Sequence, residues 1–323
     1  MFDSLGRNID YLRLSLTDRC NMRCKYCMPC DVPEVGHTDV LRYEEFLQVC
    51  QAALAIGINR FKVTGGEPLV RKGVLNFLAA LKALPGVCCT TITTNGYLLS
   101  KALPRLQAIG IDGINISLDA IEPKLFKNLT GIDGCQQVLS AIEASVASGI
   151  RTKVNTVLLA QNESQILPLA SLAENLPVDV RFIELMPIGY GKNFSGPTER
   201  EVFNLLCAKY NDLEPSYEKR GNGPAVYYKS RYLCGRIGFI GANSHKFCSR
   251  CNRLRLTSTG LLKPCLCYEQ SVDLRSVLRS GKPHLAVLLQ EALKQGIALK
   301  PAEHCFDSVT SITEEKNMNQ IGG

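Results

Sequence analysis

The stretch Tyr11-Leu-Arg-Leu-Ser-Leu-Thr-Asp-Arg-Cys20-Asn-Met-Arg-Cys24-Lys-Tyr-Cys27 begins as an alternating apolar run and ends with three thiols within eight residues. The run at 11–16 has the period of a strand, and the thiols fall in the loop just past its end. The same order recurs downstream. β-rich runs at 59–64, 88–93, 113–117, 151–157 and 179–185 alternate with helical patterns at 43–56, 74–84, 98–109, 135–147 and 165–175. Repeated strand–helix units predict a parallel sheet covered by helices.

The unusual residues sit just after strands. Cys20 follows the first, Gly65-Gly66-Glu67-Pro68 the second, Thr94-Asn95-Gly96 the third, Asp119 the fourth and Met186-Pro187 the sixth. Periodicity alone does not decide whether such a sheet closes. Working residues gathered at carboxyl strand ends are the habit of α/β barrels, and six units make an incomplete one. The expected fold is therefore α/β, an incomplete (β/α)6 TIM-like barrel over residues 1–190. Beyond Met186 the rhythm breaks in a Gly/Pro/Asn-rich stretch at 187–197, followed by a helix near 199–210. Short strands at 225–229, 236–240, 253–257 and 261–264 and a helix near 285–295 then predict a C-terminal α+β module over 191–323.

Composition narrows the function. Fifteen cysteines among 323 residues, in a chain whose start lacks the apolar core of a secretory signal, point to metal binding rather than to a disulfide framework. No run approaches the roughly 18 apolar residues of a membrane span. The expectation is a cytoplasmic protein without a membrane partner. A net charge of +7 favours an anionic ligand without requiring a nucleic-acid surface.

Soft thiolates at the spacing of Cys20, Cys24 and Cys27 select zinc or an iron–sulfur cluster. Three ligands rather than four leave one iron of a [4Fe–4S] cubane open, as catalytic metal sites do; Cys30 as a fourth ligand would close it. A second group, Cys248-Ser-Arg-Cys251 with Cys265 fourteen residues on, repeats the count of three. Alternation along the strand between them puts Arg253 and Arg255 on one face, two forks suited to an anion.

The Cys-x3-Cys-x2-Cys motif after a first strand, joined to Gly65-Gly66-Glu67-Pro68, resembles the radical S-adenosylmethionine superfamily. The second triad, the Arg253-Leu254-Arg255 run and the terminal Gly322-Gly323 resemble, within it, the GTP 3′,8-cyclase family of molybdenum cofactor biosynthesis. The resemblance implies two [4Fe–4S] clusters, on Cys20, Cys24 and Cys27 and on Cys248, Cys251 and Cys265. It implies S-adenosylmethionine contacts at Tyr26, Gly66, Ser117 and Met186, and GTP contacts at Arg13, Lys62, Thr93, Lys153, Arg253, Leu254 and Arg255. Arg13, Arg253 and Arg255 carry the implied catalytic role, and the double glycine would reach toward the active site. In that family, reductive cleavage of S-adenosylmethionine yields a radical that takes hydrogen from C3′ of GTP, after which C3′ bonds to guanine C8. The implied partners are GTP, a reducing partner that the sequence does not name, and the next pathway enzyme, which receives the product. Nucleic acid is not among them, and monomer and homodimer stay open.

Departures from the pattern are specific. Lys62 stands where arginine is common, replacing a fork by a point charge. Cys267 lies beside the second triad, so Cys248, Cys251, Cys265 and Cys267 could instead hold tetrahedral zinc. Arg181 is a further basic candidate. Cys50, Cys88, Cys89, Cys135 and Cys207 fall in apolar patterns and are expected to be small buried hydrophobes. Two rivals remain open: another radical enzyme with an auxiliary cluster, acting on a peptide or RNA, and a non-enzymatic iron–sulfur or zinc scaffold.

Overall fold

Strands β1 (Tyr11–Ser15), β2 (Arg60–Thr64), β3 (Cys89–Thr94), β4 (Gly113–Ser117), β5 (Thr152–Leu158) and β6 (Asp179–Glu184) run parallel in chain order in the computed structural model, which describes residues 1–28 and 35–322. Cys30 and Gly323 lie outside the described residues. Alternation sorts β1 into two faces. Leu12 and Leu14 are fully buried in the helix-covered core, whereas Tyr11 and Arg13 face the inner cavity. Helices α1 (Tyr43–Ala55), α2 (Val74–Lys82), α3 (Leu99–Ile109), α4 (Pro123–Thr130) and α5 (Cys135–Ala147) connect the first five strands. They present Phe46, Phe77, Leu106 and Ile142 to the sheet, each side chain worth about 1.5–3 kcal/mol on burial.

Two local features depart from the sequence pattern. The expected helix at 165–175 is broken: a 3₁₀ turn, Ala160–Gln165, leads into α6 (Ile166–Ala170) and then α7 (Leu172–Asn175). At the break the Ser171 hydroxyl donates back to Leu167 O at 3.0 Å, a side-chain bond that competes with helix geometry. Helix α4 is present without having been anticipated. Pro123 occupies its first turn and the Glu122 carboxylate accepts from the Lys124 and Leu125 N–H groups at 2.9 and 2.7 Å, so local capping supports a helix of eight residues.

Beyond α8 (Glu199–Lys209) come β7 (Glu214–Ser216), β8 (Val226–Lys229), β9 (Arg236–Ile240), β10 (Arg253–Leu256), β11 (Leu261–Lys263) and β12 (Val272–Asp273), then α9 (Leu274–Leu278), α10 (Leu285–Ala298) and α11 (Met318–Ile321). All six strands join the first sheet, giving the order β12-β11-β10-β1-β2-β3-β4-β5-β6-β9-β8-β7. β10 pairs parallel with β1 and β9 parallel with β6, so eight parallel strands are flanked by antiparallel edges. The partial barrel is thus widened from both sides by the later part of the chain. Residues 241–252, which connect β9 to β10, carry Cys248 and Cys251. Among the described residues no helix is long and apolar enough to cross a membrane.

Candidate active site and second cysteine centre

Cys20, Cys24 and Cys27 sit in the loop after β1 and line a cavity of about 260 Å³ inside the sheet. The loop is held from several sides. Cys27 and Met28 N–H both donate to Cys24 O, Arg23 N–H donates to Thr130 O at 2.8 Å, and Asn95 Nδ2 reaches Asn21 Oδ1 at 2.8 Å and Cys20 Sγ at 3.7 Å. Burial pushes the Cys24 thiol well up, with the Cys27 and Asp119 charges adding, and pushes Cys27 up to about 12 with the Cys20 charge adding. Three crowded thiolates in so dry a pocket call for a compensating cation, and soft sulfur donors fit an iron–sulfur cluster. Among the described residues no three His, Cys, Asp or Glu side chains form a group that would hold a single metal ion.

The glycine motif stands beside this loop. A Cβ on Gly65 would lie 2.6 Å from Thr17 O and one on Gly66 2.6 Å from Asp18 O, so only glycine lets the two loops meet. Glu67, fully buried, accepts from Leu69 N–H at 2.9 Å, Thr94 Oγ1 at 2.8 Å and Asn95 N–H at 2.6 Å. It therefore fastens the β2 loop to the β3 loop, and through Asn95 to Cys20. Burial raises its carboxyl to about 7. This tying role was missed because a glutamate inside a glycine turn reads as surface.

Gly66, Ser117, Met186 and Tyr26, the expected S-adenosylmethionine contacts, all line the same cavity. Tyr26 OH donates to Asp119 Oδ2 at 2.6 Å, while Asp119 Oδ1 accepts from Val157 N–H at 2.8 Å. Asp119, whose carboxyl burial raises to about 6, thus orients the aromatic inside the cysteine motif.

The cations gather by register. Arg13 pairs with Lys62 on β2 and with Arg255 on β10, a single inner rung of three positive side chains, and Arg253 lies one alternation away. Arg13, Lys62, Arg253, Arg255 and Thr93 line the cavity with Arg181, which donates to Asn115 Oδ1 at 2.6 Å. Burial and the charges of Arg181 and Arg13 hold the Lys62 ammonium well below its usual range, and burial with Arg13 and Arg253 does the same to Arg255. An anion would relieve both burdens. Leu254 differs from its neighbours, for its side chain is fully buried in the apolar core.

Lys153 is placed at the opposite end of the strands. It lines a second cavity, of about 430 Å³, which shares Tyr11, Lys62 and Arg181 with the first and adds Arg60, Arg151 and Arg220. Lys153 Nζ donates to Tyr227 OH at 2.7 Å and to Arg220 O and pairs with Asp179 at 3.3 Å. Burial, with the Arg181 charge, brings its ammonium down to about 7. The two cavities thus share a wall that carries Lys62 and Arg181.

Cys248, Cys251 and Cys265 lie half-buried beside Arg253. Burial and the Cys265 and Cys251 charges raise Cys248. Burial also pushes Cys251 up, but Arg253 and Lys300 outweigh it and bring the thiol down to about 7. Arg7 donates to Cys248 O at 3.0 Å and His304 N–H to Cys248 Sγ at 3.4 Å. Neither Arg7 nor Lys300 was expected, because each comes from a remote part of the chain with no motif around it. Cys267 faces Cys305, the two sulfurs 3.1 Å apart. At the chain's end, Met318 lines the first cavity and Gly322 O accepts from Arg255 at 2.7 Å.

Family models of the Radical SAM superfamily and of Molybdenum Cofactor Synthesis C match residues 14–173 and 178–306. Curated proteins of Clostridium perfringens (strain SM101 / Type A) and Geobacter sulfurreducens, both named GTP 3′,8-cyclase, are each 40% identical to the chain. The alignments span 325 and 328 residues, 100% of this chain and 100% and 99% of the relatives. The crystal structure of Streptococcus suis SuiB bound to S-adenosylmethionine matches with a TM-score of 0.65 at 17% identity, over 90% of this chain and 68% of that one, which is a likeness of fold. The chain belongs to the GTP 3′,8-cyclase family of the radical S-adenosylmethionine superfamily.

Proposed function

We propose that the chain converts GTP to (8S)-3′,8-cyclo-7,8-dihydroguanosine 5′-triphosphate, for molybdenum cofactor biosynthesis, using S-adenosylmethionine and two [4Fe–4S] clusters. The relatives' name supplies the reaction, and the rung Arg255–Arg13–Lys62 beside the first cysteine triad is the observation in this chain that carries it. Cys20, Cys24 and Cys27 would hold the radical-generating cluster and Cys248, Cys251 and Cys265 the second. When bound, the first cluster with S-adenosylmethionine supplies one-electron cleavage of a carbon–sulfur bond, the source of hydrogen-abstracting power.

The protein's share is positioning. Gly65 and Gly66 open the backbone beside the triad, and the Tyr26–Asp119 bond fixes the cofactor-facing aromatic. Arg13, Lys62, Arg253 and Arg255 orient the nucleotide, and the second cavity, with Lys153, Arg60 and Arg151, offers its charge to a triphosphate. Cys248, Cys251 and Cys265 would sit on the guanine side, beside Arg253. Anchoring both ends of GTP fixes C3′ between them, and such placement contributes strongly to rate. The reaction removes hydrogen from C3′, forms the C3′–C8 bond, and returns one electron and one proton to the guanine ring, so the product is an isomer of GTP.

The decisive assay is anaerobic. Protein reconstituted with iron and sulfide receives dithionite, S-adenosylmethionine and GTP, and 5′-deoxyadenosine release and GTP loss are followed together. Coupled turnover is expected; deoxyadenosine without GTP consumption would overturn the cyclase reading while leaving the superfamily intact.

A further inference from the structure

Cys267 and Cys305 belong to neither triad, yet they face each other across the outer wall of the second one. Their sulfurs are 3.1 Å apart, about 1 Å of travel from the ~2.05 Å bond of a disulfide. The pair is asymmetric. Cys267 is fully buried among Leu266, Phe306, Ile312 and Ile321, whereas Cys305 is partly exposed. Cys305 N–H donates to Cys267 Sγ at 3.4 Å, and the Cys305 thiol reaches Ser311 O at 3.1 Å. One accessible thiol backed by one sheltered thiol is the arrangement that thiol–disulfide exchange uses.

We propose that Cys267 and Cys305 form a reversible disulfide in response to low-molecular-weight disulfides. The Cys305 thiolate attacks one sulfur of RSSR and releases the first thiol; Cys267 then attacks the Cys305 sulfur and releases the second. Two protons and two electrons leave the protein, and two RSH form. The link joins segments that flank the second triad on both sides. Cys267 follows Cys265 by two residues, and Cys305 follows His304, whose N–H donates to Cys248 Sγ. Closing it fastens the 265–268 turn to the C-terminal tail and leaves Cys248, Cys251 and Cys265 outside the link. The inference does not depend on the identity of the substrate.

The test uses reconstituted holoenzyme incubated without oxygen in bis(2-hydroxyethyl) disulfide, then alkylated, digested and mapped with fragmentation that separates Cys265 from Cys267. The expected product is a Cys267–Cys305 linked peptide, absent from Cys305→Ser and reversed by excess thiol, with the iron content of the holoenzyme unchanged. Cys305→Ser changes the partly exposed member, and iron loading equal to the unsubstituted protein confirms its fold. Recovery of both cysteines as alkylated thiols, capping of Cys305 by the reagent alone, or a link to Cys248, Cys251 or Cys265 would each overturn the proposal. So would loss of iron in step with the link, which would make the pair metal ligands.

Discussion

Lys300 Nζ donates to Cys251 Sγ at 3.3 Å, and its two other bonds go to Arg253 O and Pro264 O, each at 2.9 Å. One nearly buried ammonium therefore ties together the strand that follows Cys251 and the turn that precedes Cys265. Its charge also favours the Cys251 thiolate. Two arms of the second triad are positioned by a residue 35 positions beyond Cys265.

Replacing Lys300 by methionine keeps the aliphatic stem and removes all three bonds. Two buried carbonyls and one thiolate lose their donor, at about 1–3 kcal/mol each. The expected variant folds with a lower Tm and binds iron at the first triad but poorly at the second, about half the iron of the unsubstituted protein after identical reconstitution. Equal iron content in both proteins would contradict the positioning role.

Lys62 sits on the same rung as Arg13 and Arg255, where an arginine would offer a fork. Lys62→Ala removes one charge-assisted contact, worth about 1.5–3 kcal/mol, so KM for GTP should rise by about 10- to 100-fold. Lys62→Arg should change KM by only a few fold. Guanosine, which lacks phosphates, should bind alike to the unsubstituted protein and to the Lys62→Ala variant. Steady-state turnover gives KM and calorimetry with GTP and guanosine gives the binding pattern, and an equal loss for both ligands would remove Lys62 from the phosphate end.

The motifs that carry ligands were legible in the sequence because their chemistry is local: three thiols in eight residues, two glycines after a strand, two arginines at strand spacing. The six-unit sheet was legible for the same reason, since strand and helix periods are short-range. What sequence reading lacked was pairing across the chain. Parallel addition of β9 to β6 and of β10 to β1 depends on contacts between segments far apart, which no local pattern encodes. Lys153 was named as a substrate contact, but its place in a second cavity follows only from the sheet's register. Lys300 and Arg7 carried no motif, and Glu67 was read only as part of the glycine motif, since the bonds by which each holds a site loop reach segments far away in sequence.

Glu67 makes a pH prediction. Burial raises its carboxyl from 4.5 to about 7, so the folded protein holds a proton that the unfolded chain has released. Between those values the native state binds more protons, and stability falls as pH rises, by about 3 kcal/mol in total. Below 4.5 both states are protonated and the penalty is absent. Glu67→Gln cannot titrate. It should be the less stable protein at about pH 4.5, because an amide cannot accept all three donors, and its deficit should shrink by about pH 8. Urea melts of both proteins across that range give the difference, and a gap independent of pH would contradict the raised carboxyl.

Gly322 offers the sharpest test of the tail. Its φ is +90°, and a Cβ there would stand 2.8 Å from Ser15 Cβ and 3.2 Å from Thr64 Cγ2, against the end of β1 and β2. An alanine must adopt a backbone conformation costing about 1–3 kcal/mol and also displace those side chains. The tail should therefore leave its seat, and Arg255 should lose the Gly322 carbonyl that holds it at 2.7 Å. Misplacing one orienting arginine lowers kcat for GTP by about tenfold for each 1.4 kcal/mol of lost positioning. Cleavage of S-adenosylmethionine in the absence of GTP should fall less than turnover of GTP, since the first triad is carried by the β1 loop and the tail touches that loop chiefly through Asn319, which donates to Asp18 O at 3.1 Å. Ser15→Gly clears the nearest atom, so the Gly322→Ala, Ser15→Gly double variant should recover part of the rate. Equal rates in the single and double variants would show that the tail is held by something other than its close fit to β1.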